Sequence, residues 1–152
     1  MIPRNEYPRP RLVRKNWECL NGEWQFEFDH GNSGKNRKLY EAESFSHKII
    51  VPFAPESKLS GIEYVDFMTA VWYRRTLNVD MKALENKRLI LHFGAVDYLA
   101  EVWINGVSVG THKGGFTPFS FDITKHVHDG ENVIILKAFD DTRNDLQPSG
   151  KQ

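Results

Sequence analysis

Hydrophobic and polar residues alternate with a period of two along much of the chain, which is the pattern of half-buried β-strands. In the first such segment, Trp24, Phe26 and Phe28 alternate with polar neighbours. Later segments add β-branched and aromatic residues, which favour strands. They span residues 47–51, 70–79, 88–93, 98–104, 107–109, 119–123 and 133–139. Seven or eight short strands without a long helical segment predict an all-β, mostly antiparallel sandwich.

The connections between these segments carry turn signals. Asn105-Gly106 separates two of them and is the preferred pair for a two-residue type I′ turn, in which both residues have positive φ. Residues 30–38 are polar and contain glycine, so they predict a loop. Residues 81–87 form a short connection that could be helical. Residues 133–139 are so apolar that we expect this strand to avoid water on both faces.

The composition excludes several classes of function. A chain of 152 residues is long enough for one domain with a real core, and 40% of its residues are apolar. Lysine plus arginine and aspartate plus glutamate both number 20, so no positive excess attracts nucleic acid or an anionic membrane. Uninterrupted apolar runs reach four residues, whereas a membrane helix needs about 20. We therefore expect no nucleic-acid partner and no membrane partner, while a neutral ligand stays open.

The N-terminus and the cysteine content bear on the compartment. Residues 1–16 contain three prolines and five cationic side chains, which predicts an extended arm. The arm could contact nucleic acid, but the charge balance of the rest favours a solvated leader. It lacks the apolar core of a secretory signal. The single cysteine, Cys19, cannot form an internal disulfide and favours a reducing compartment, so we expect a cytoplasmic location.

Two groups of polar residues could carry chemistry, and each has a structural alternative. His126 and His128 with Asp129 offer the start of a zinc site, but further ligands would be needed, so histidines at a surface turn are the favoured interpretation. The pair Asp140-Asp141 with Asp145 could do general acid–base work, or could cap a turn. The four tryptophans, five tyrosines and ten phenylalanines could stack on sugars, but their alternation also suits a core.

Five segments in order resemble a known family. They are LNGEWQFEFD (20–29), VPFAPES (51–57), VWYRRTL (71–77), the long block at 91–124 and GENVIILKAFDD (130–141). The long block is the densest, with G-x-V-D-Y-x-A-x-V-W-x-N-G followed by H-x-G-G-F-x-P-F. In this order and spacing the segments resemble the N-terminal sugar-binding domain of glycoside hydrolase family 2, the β-galactosidase and β-glucuronidase family. The resemblance covers nearly the whole chain from Trp17 onward.

The resemblance implies a jelly-roll β-sandwich, similar to galactose-binding domains, within a longer enzyme. Members of the family are retaining exo-glycosidases built from a jelly roll, an immunoglobulin-like domain and a catalytic TIM barrel. Both catalytic glutamates, and the metal ions of some relatives, belong to the barrel. We therefore expect no catalytic residue, no metal site and no cofactor in this chain. Its partners would be the immunoglobulin-like and TIM-barrel domains of the same chain and, through the full-length enzyme, a β-glycoside.

The resemblance also implies substrate contacts. In β-galactosidases a polar residue two positions after a tyrosine, in the loop before the VWYRR strand, faces the substrate, and Asp66 occupies that position. The second segment that contributes substrate contacts lies around residues 148–152, so Lys151 and Gln152 are the predicted contacts there. We expect an extended arm at 1–16 and a jelly-roll domain at 17–152 that is truncated before its last strand.

Three functions follow from this sequence. The chain could be the non-catalytic N-terminal domain of a β-galactosidase or β-glucuronidase type enzyme, which hydrolyses O-glycosyl bonds and receives a loop of this domain at its active-site rim. It could be a free-standing carbohydrate-binding module with its own aromatic platform. It could also be a structural sandwich that mediates protein contacts, as adhesins do. The motif match favours the first.

Overall fold

The computed structural model describes residues 2–144 and residue 146, which form eight strands in two sheets. The strands are β1 (Gly22–Phe28), β2 (His47–Val51), β3 (Ala70–Val79), β4 (Ile90–Phe93), β5 (Leu99–Ile104), β6 (Val107–Lys113), β7 (Phe119–Asp122) and β8 (Gly130–Phe139). The larger sheet has the order β2-β1-β3-β8-β5-β6, and the smaller sheet pairs β4 with β7. All neighbouring strands are antiparallel. The predicted all-β jelly-roll sandwich is confirmed.

The helical content of the described residues is small. Single turns of 3₁₀ helix lie at Pro10–Leu12, Leu39–Glu41 and Lys58–Ser60. The connection at 81–86, for which a helix was an option, forms consecutive turns instead. No helix in this part of the chain has the length and apolar character needed to cross a membrane.

The main core fills the space between the two sheets. Alternate side chains of the long strands point into it, as the period of two predicts. Its largest wholly buried members from the larger sheet are Phe26, Ile49, Val102, Ile104 and Ile134. The smaller sheet contributes Leu91, together with Ile123 just after β7. Strand β8 is buried along most of its length, as its continuous apolar sequence predicts.

The outer face of the larger sheet carries a second, smaller core. Trp72, Trp103 and Ile135 are buried there although they point away from the smaller sheet. The connection between β1 and β2, residues 29–46, folds back over them and is called the cover loop below. Tyr40 of this loop stacks on Trp103 with ring centroids 5.6 Å apart, and Trp103 stacks on Trp72 at 5.3 Å. The cover loop therefore keeps two tryptophans out of water.

Buried charges fasten the cover loop to the sheet. Asp29 is 2% exposed, and its carboxylate accepts hydrogen bonds from the Trp72 indole N–H at 2.9 Å and the Gly34 backbone N–H at 2.8 Å. Glu101 of β5 lies directly opposite Lys137 of β8, and their charged atoms are 3.3 Å apart. Lys35 of the cover loop reaches the same glutamate at 2.6 Å, so the ion pairs join the loop to two strands.

The hairpin between β5 and β6 has the predicted turn. Asn105 has φ 51° and Gly106 has φ 78°, the two positive values that a type I′ turn requires. The Asn105 side chain also holds the connection before β8, because its amide donates to the His126 carbonyl and to Asn132 Oδ1. Asn132 is wholly buried and makes four side-chain hydrogen bonds. These two side-chain amides therefore connect the turn before β6 to the start of β8.

Candidate functional site

One end of the larger sheet brings together the loop that carries Asp66 and the chain that follows β8. The antiparallel pairing places the ends of β1, β6 and β8 beside the starts of β2, β3 and β5. The loop that leads into β3, residues 62–69, lies at this end and is called the rim loop. The chain that leaves β8, residues 140–144, lies at the same end and is called the exit segment. Two segments far apart in sequence therefore share one surface.

The rim loop is anchored near its start. The Tyr64 N–H donates to the Pro55 carbonyl at 3.1 Å. The Tyr64 ring packs against Phe28 at the end of β1, with centroids 4.8 Å apart. The following residues extend into solvent, and Val65 is 81% exposed. The anchor thus holds the tip of the loop outward.

Asp66 stands at this tip. Its side chain is exposed, and it makes no hydrogen bond or ion pair with the residues that the structure describes. An ionised carboxylate of this kind only accepts hydrogen bonds, which suits a ligand rich in hydroxyl groups. As far as the described residues go, the loop therefore presents an unpaired acceptor at the end of the sandwich. Lys151 and Gln152, the other two predicted contacts, lie outside the described residues.

The exit segment packs directly on the rim loop. The Asp140 N–H donates to the Thr69 carbonyl at 2.9 Å, which extends the pairing of β3 and β8 by one step. The guanidinium carbon of Arg143 lies 3.7 Å from the centroid of the Phe67 ring. No motif or spacing in the sequence marks this pair, because Phe67 and Arg143 lie far apart along the chain.

The other candidate residues have structural roles. Asp141 caps a turn, because its Oδ1 accepts from the Arg143 N–H at 3.2 Å and its carbonyl accepts from the Asn144 N–H at 2.9 Å. His128 contacts the Asp129 carbonyl through Nδ1 at 3.0 Å, within a turn. No group of three potential ligands for a metal ion occurs among the described residues. Asp145 lies outside them.

The glycine pair near this end serves the backbone. Gly114 has φ 121°, and its N–H donates to the Tyr98 carbonyl at 2.7 Å. A Cβ on Gly115 would overlap the carboxylate of Asp97. Phe116, the next residue, is 65% exposed. This turn shapes the end of the sandwich and supplies no nucleophile.

Comparison with known proteins gives a consistent result. The family described as "Glycosyl hydrolases family 2, sugar binding domain" matches residues 17–145. A β-galactosidase of Thermoanaerobacter pseudethanolicus is 33% identical over 135 residues, which is 88% of this chain and 16% of that protein. A β-glucuronidase of Paenibacillus borealis is 32% identical over 132 residues, which is 86% of this chain and 22% of the relative. The chain thus spans about a fifth of the length of these relatives.

Solved structures agree with the sequence relatives. A β-glucuronidase of Lactobacillus rhamnosus superposes with a TM-score of 0.73 at 30% identity, covering 82% of this chain and 21% of the other. A β-glucuronidase of Ruminococcus gnavus, solved with a C6-substituted uronic isofagomine, superposes with a TM-score of 0.74. At 23% identity and coverage of 84% and 23%, that likeness supports the fold alone. With the match over 17–145, the chain belongs to glycoside hydrolase family 2, in which it corresponds to the N-terminal sugar-binding domain.

Proposed function

We propose that this chain is the non-catalytic N-terminal domain of a retaining exo-β-glycosidase, of the β-galactosidase or β-glucuronidase type. The full-length protein would hydrolyse O-glycosyl bonds, and this domain would lend the rim loop to the edge of the active site. The observation that carries the proposal is the exposed Asp66 carboxylate, which has no partner among the described residues and lies where the rim loop and the exit segment meet.

The chemistry of retaining hydrolysis supports a non-catalytic role. The reaction needs two carboxyl groups about 5–5.5 Å apart, one as nucleophile and one as acid–base. The carboxyls nearest to Asp66 in sequence and along the exit segment already have other partners. Glu63 is 3.8 Å from Lys58, and Asp141 caps the turn of the exit segment. The resemblance to the family implies that the two catalytic carboxyls come from a TIM barrel of the same polypeptide, which would also contain an immunoglobulin-like domain.

Asp66 would act by binding. Sugar hydroxyls are hydrogen-bond donors, and an ionised carboxylate accepts them without needing to exchange a proton. The segment at 148–152 would add hydrogen-bond donors through Lys151 and Gln152. The sugar-binding unit would span residues 17–152, and the arm at 1–16 would lie outside it. The full-length protein would act on a soluble β-glycoside in the cytoplasm, without nucleic acid, membrane or cofactor.

A second candidate has one observation in its favour. Beside the rim loop, His30 stacks on Phe28 with centroids 5.4 Å apart, and Tyr64 lies 5.8 Å from the same imidazole. His30 is exposed, so this group could form the aromatic platform of a free-standing carbohydrate-binding module.

Two measurements on the 152-residue chain separate these functions. Incubation with 4-nitrophenyl β-galactoside and β-glucuronide should release no nitrophenol, and calorimetry with galactose, glucuronate and short β-glycans should show no binding tighter than about 1 mM. Binding tighter than that, lost in His30→Ala, would support the module instead. Release of nitrophenol by the chain would overturn the non-catalytic role.

A further inference from the structure

We infer that Phe67 and Arg143 form a clamp between the rim loop and the exit segment, and that this clamp sets the position of Asp66. The two residues are positioning residues, because they act on the neighbouring carboxylate and not on a substrate. The consequence for sugar binding rests on the proposed function. The clamp itself does not, because it is a contact within this domain.

The exit segment is shaped to deliver Arg143 to the loop. Directly after β8, Asp141 builds a four-residue turn through its carbonyl, which accepts from the Asn144 N–H at 2.9 Å. Its side chain also accepts from the Arg143 N–H at 3.2 Å, so the backbone at the arginine is fixed. Asp141 Oδ1 lies 3.9 Å from Arg143 Nε, which orients the guanidinium as well. The turn therefore restricts where this cation can go.

The contact with Phe67 is closer than any comparable pair in the described part of the chain. The guanidinium carbon is 3.7 Å from the ring centroid, the distance of van der Waals contact. The other cation–aromatic pairs have distances of 5.5–5.8 Å. An arginine stacked on a ring gains both a cation–π attraction and planar packing. Phe67 and Arg143 thus make a specific contact, although both remain more than a third exposed.

The position of the clamp explains what it would control. Tyr64 anchors the start of the rim loop, and Thr69 anchors its end through the hydrogen bond from Asp140. Between these anchors Val65 and Asp66 are exposed, while Phe67 is the first side chain that contacts another segment. Because Phe67 directly follows Asp66 in sequence, a fixed ring restricts the backbone that carries the carboxylate.

Nuclear magnetic resonance of the isolated chain tests the clamp without any sugar. The Phe67 ring current should move the Arg143 side-chain resonances upfield. Phe67→Leu should abolish that shift, whereas Phe67→Tyr should keep it. Hydrogen exchange of the Asp140 amide reports on separation of the two segments. It should accelerate about two- to five-fold in Phe67→Leu or in Arg143→Gln, because an exposed cation–π pair contributes a stabilisation of that size. Phe116→Leu, the same change at another exposed phenylalanine, is the matched control.

The double variant decides whether the two residues act together. If they form one clamp, Phe67→Leu with Arg143→Gln should accelerate exchange no more than either single change. Additive effects, unshifted arginine resonances, or equal acceleration in Phe116→Leu would overturn the inference. Should Phe67→Leu lower global stability, Arg143→Gln carries the test, because its side chain is 73% exposed. The role of Asp66 in sugar binding is tested by a different variant, Asp66→Ala, so the clamp and the proposed function can fail independently.

Discussion

Replacing Asp29 with alanine should destabilise the fold by about 2–6 kcal/mol. The carboxylate serves the Trp72 indole N–H and the Gly34 N–H, both of them buried. Each donor left without an acceptor costs about 1–3 kcal/mol, and the two costs add to the stated range. The ion pair with Arg37 contributes little, because that side chain is 51% exposed. A loss of this size is a large fraction of the total of about 5–15 kcal/mol of a typical domain.

Urea unfolding followed by tryptophan fluorescence measures this loss, because Trp72 and Trp103 lie under the cover loop. Glu131→Ala is the control, since that side chain is exposed at the far end of β8. A double-mutant cycle with Trp72→Phe isolates the indole donor, and Asp29→Ala should cost less in that background. A loss below about 1 kcal/mol for Asp29→Ala would refute the conclusion that this carboxylate fastens the cover loop.

The same carboxylate should make stability depend on acid. Burial raises the pKa of Asp29, but the hydrogen bonds from Trp72, Gly34 and Ser33, with Arg37, outweigh it and keep the pKa below its ordinary value of 3.8. A group with a lowered pKa stabilises the fold above the pKa of the unfolded chain, and this contribution is lost as the pH falls through the folded value. Wild type should lose stability below about pH 4, and Asp29→Asn should lose less over that interval. Equal acid sensitivity would refute the argument.

Three further changes test the rest of the fold. Asn132→Ala should cost about 2–4 kcal/mol in urea unfolding, because it removes a wholly buried amide with four hydrogen bonds, and a neutral result would contradict that role. Gly115→Ala should destabilise the fold by about 1–3 kcal/mol and so lower the melting temperature, because its Cβ overlaps the carboxylate of Asp97. An unchanged melting temperature would show that the turn has room for a methyl group. Glu101→Ala should cost about 3 kcal/mol, because Lys137 loses its carboxylate inside the protein, and adding Lys137→Met should restore much of it. No recovery would mean that the buried charge is not the cause.

The strands could be predicted from sequence because their signal is local. Alternation along Trp24, Phe26 and Phe28 is set by the geometry of a single strand, so it needs no knowledge of partners. The turn at Asn105-Gly106 is similarly local, because positive φ at both positions suits this pair. The continuous apolar run of β8 correctly predicted that this strand is buried on both faces.

The outer core could not be predicted, because it depends on contacts between distant segments. Leu39, Tyr40 and Phe45 have no periodic spacing, so nothing marked the cover loop as a lid on the sheet. Lys137 lies in an apolar strand, and its burial makes sense only once the register sets Glu101 opposite it. Charged residues are rarely buried without such a partner.

The role of Asp66 as a substrate contact stays a prediction. Asp66 came from the resemblance to a family, and composition or periodicity alone would not have selected it. The stacking of Arg143 on Phe67 was missed, because the two residues are far apart in sequence and their contact requires both the turn at Asp141 and the pairing of β3 with β8. Such contacts follow from topology, which a single sequence does not specify.

The most direct test places this chain in an active enzyme. A chimera would carry it in place of the corresponding domain of the Thermoanaerobacter pseudethanolicus β-galactosidase, its relative at 33% identity. If this domain contributes to the active-site rim, the chimera should hydrolyse 4-nitrophenyl β-galactoside. Asp66→Ala should lower kcat/KM about ten- to hundred-fold, the value of a hydrogen bond to a charged group, while Glu131→Ala changes it little. A folded chimera without hydrolysis, or equal activities of the two variants, would contradict the claim that this domain contributes to the active-site rim.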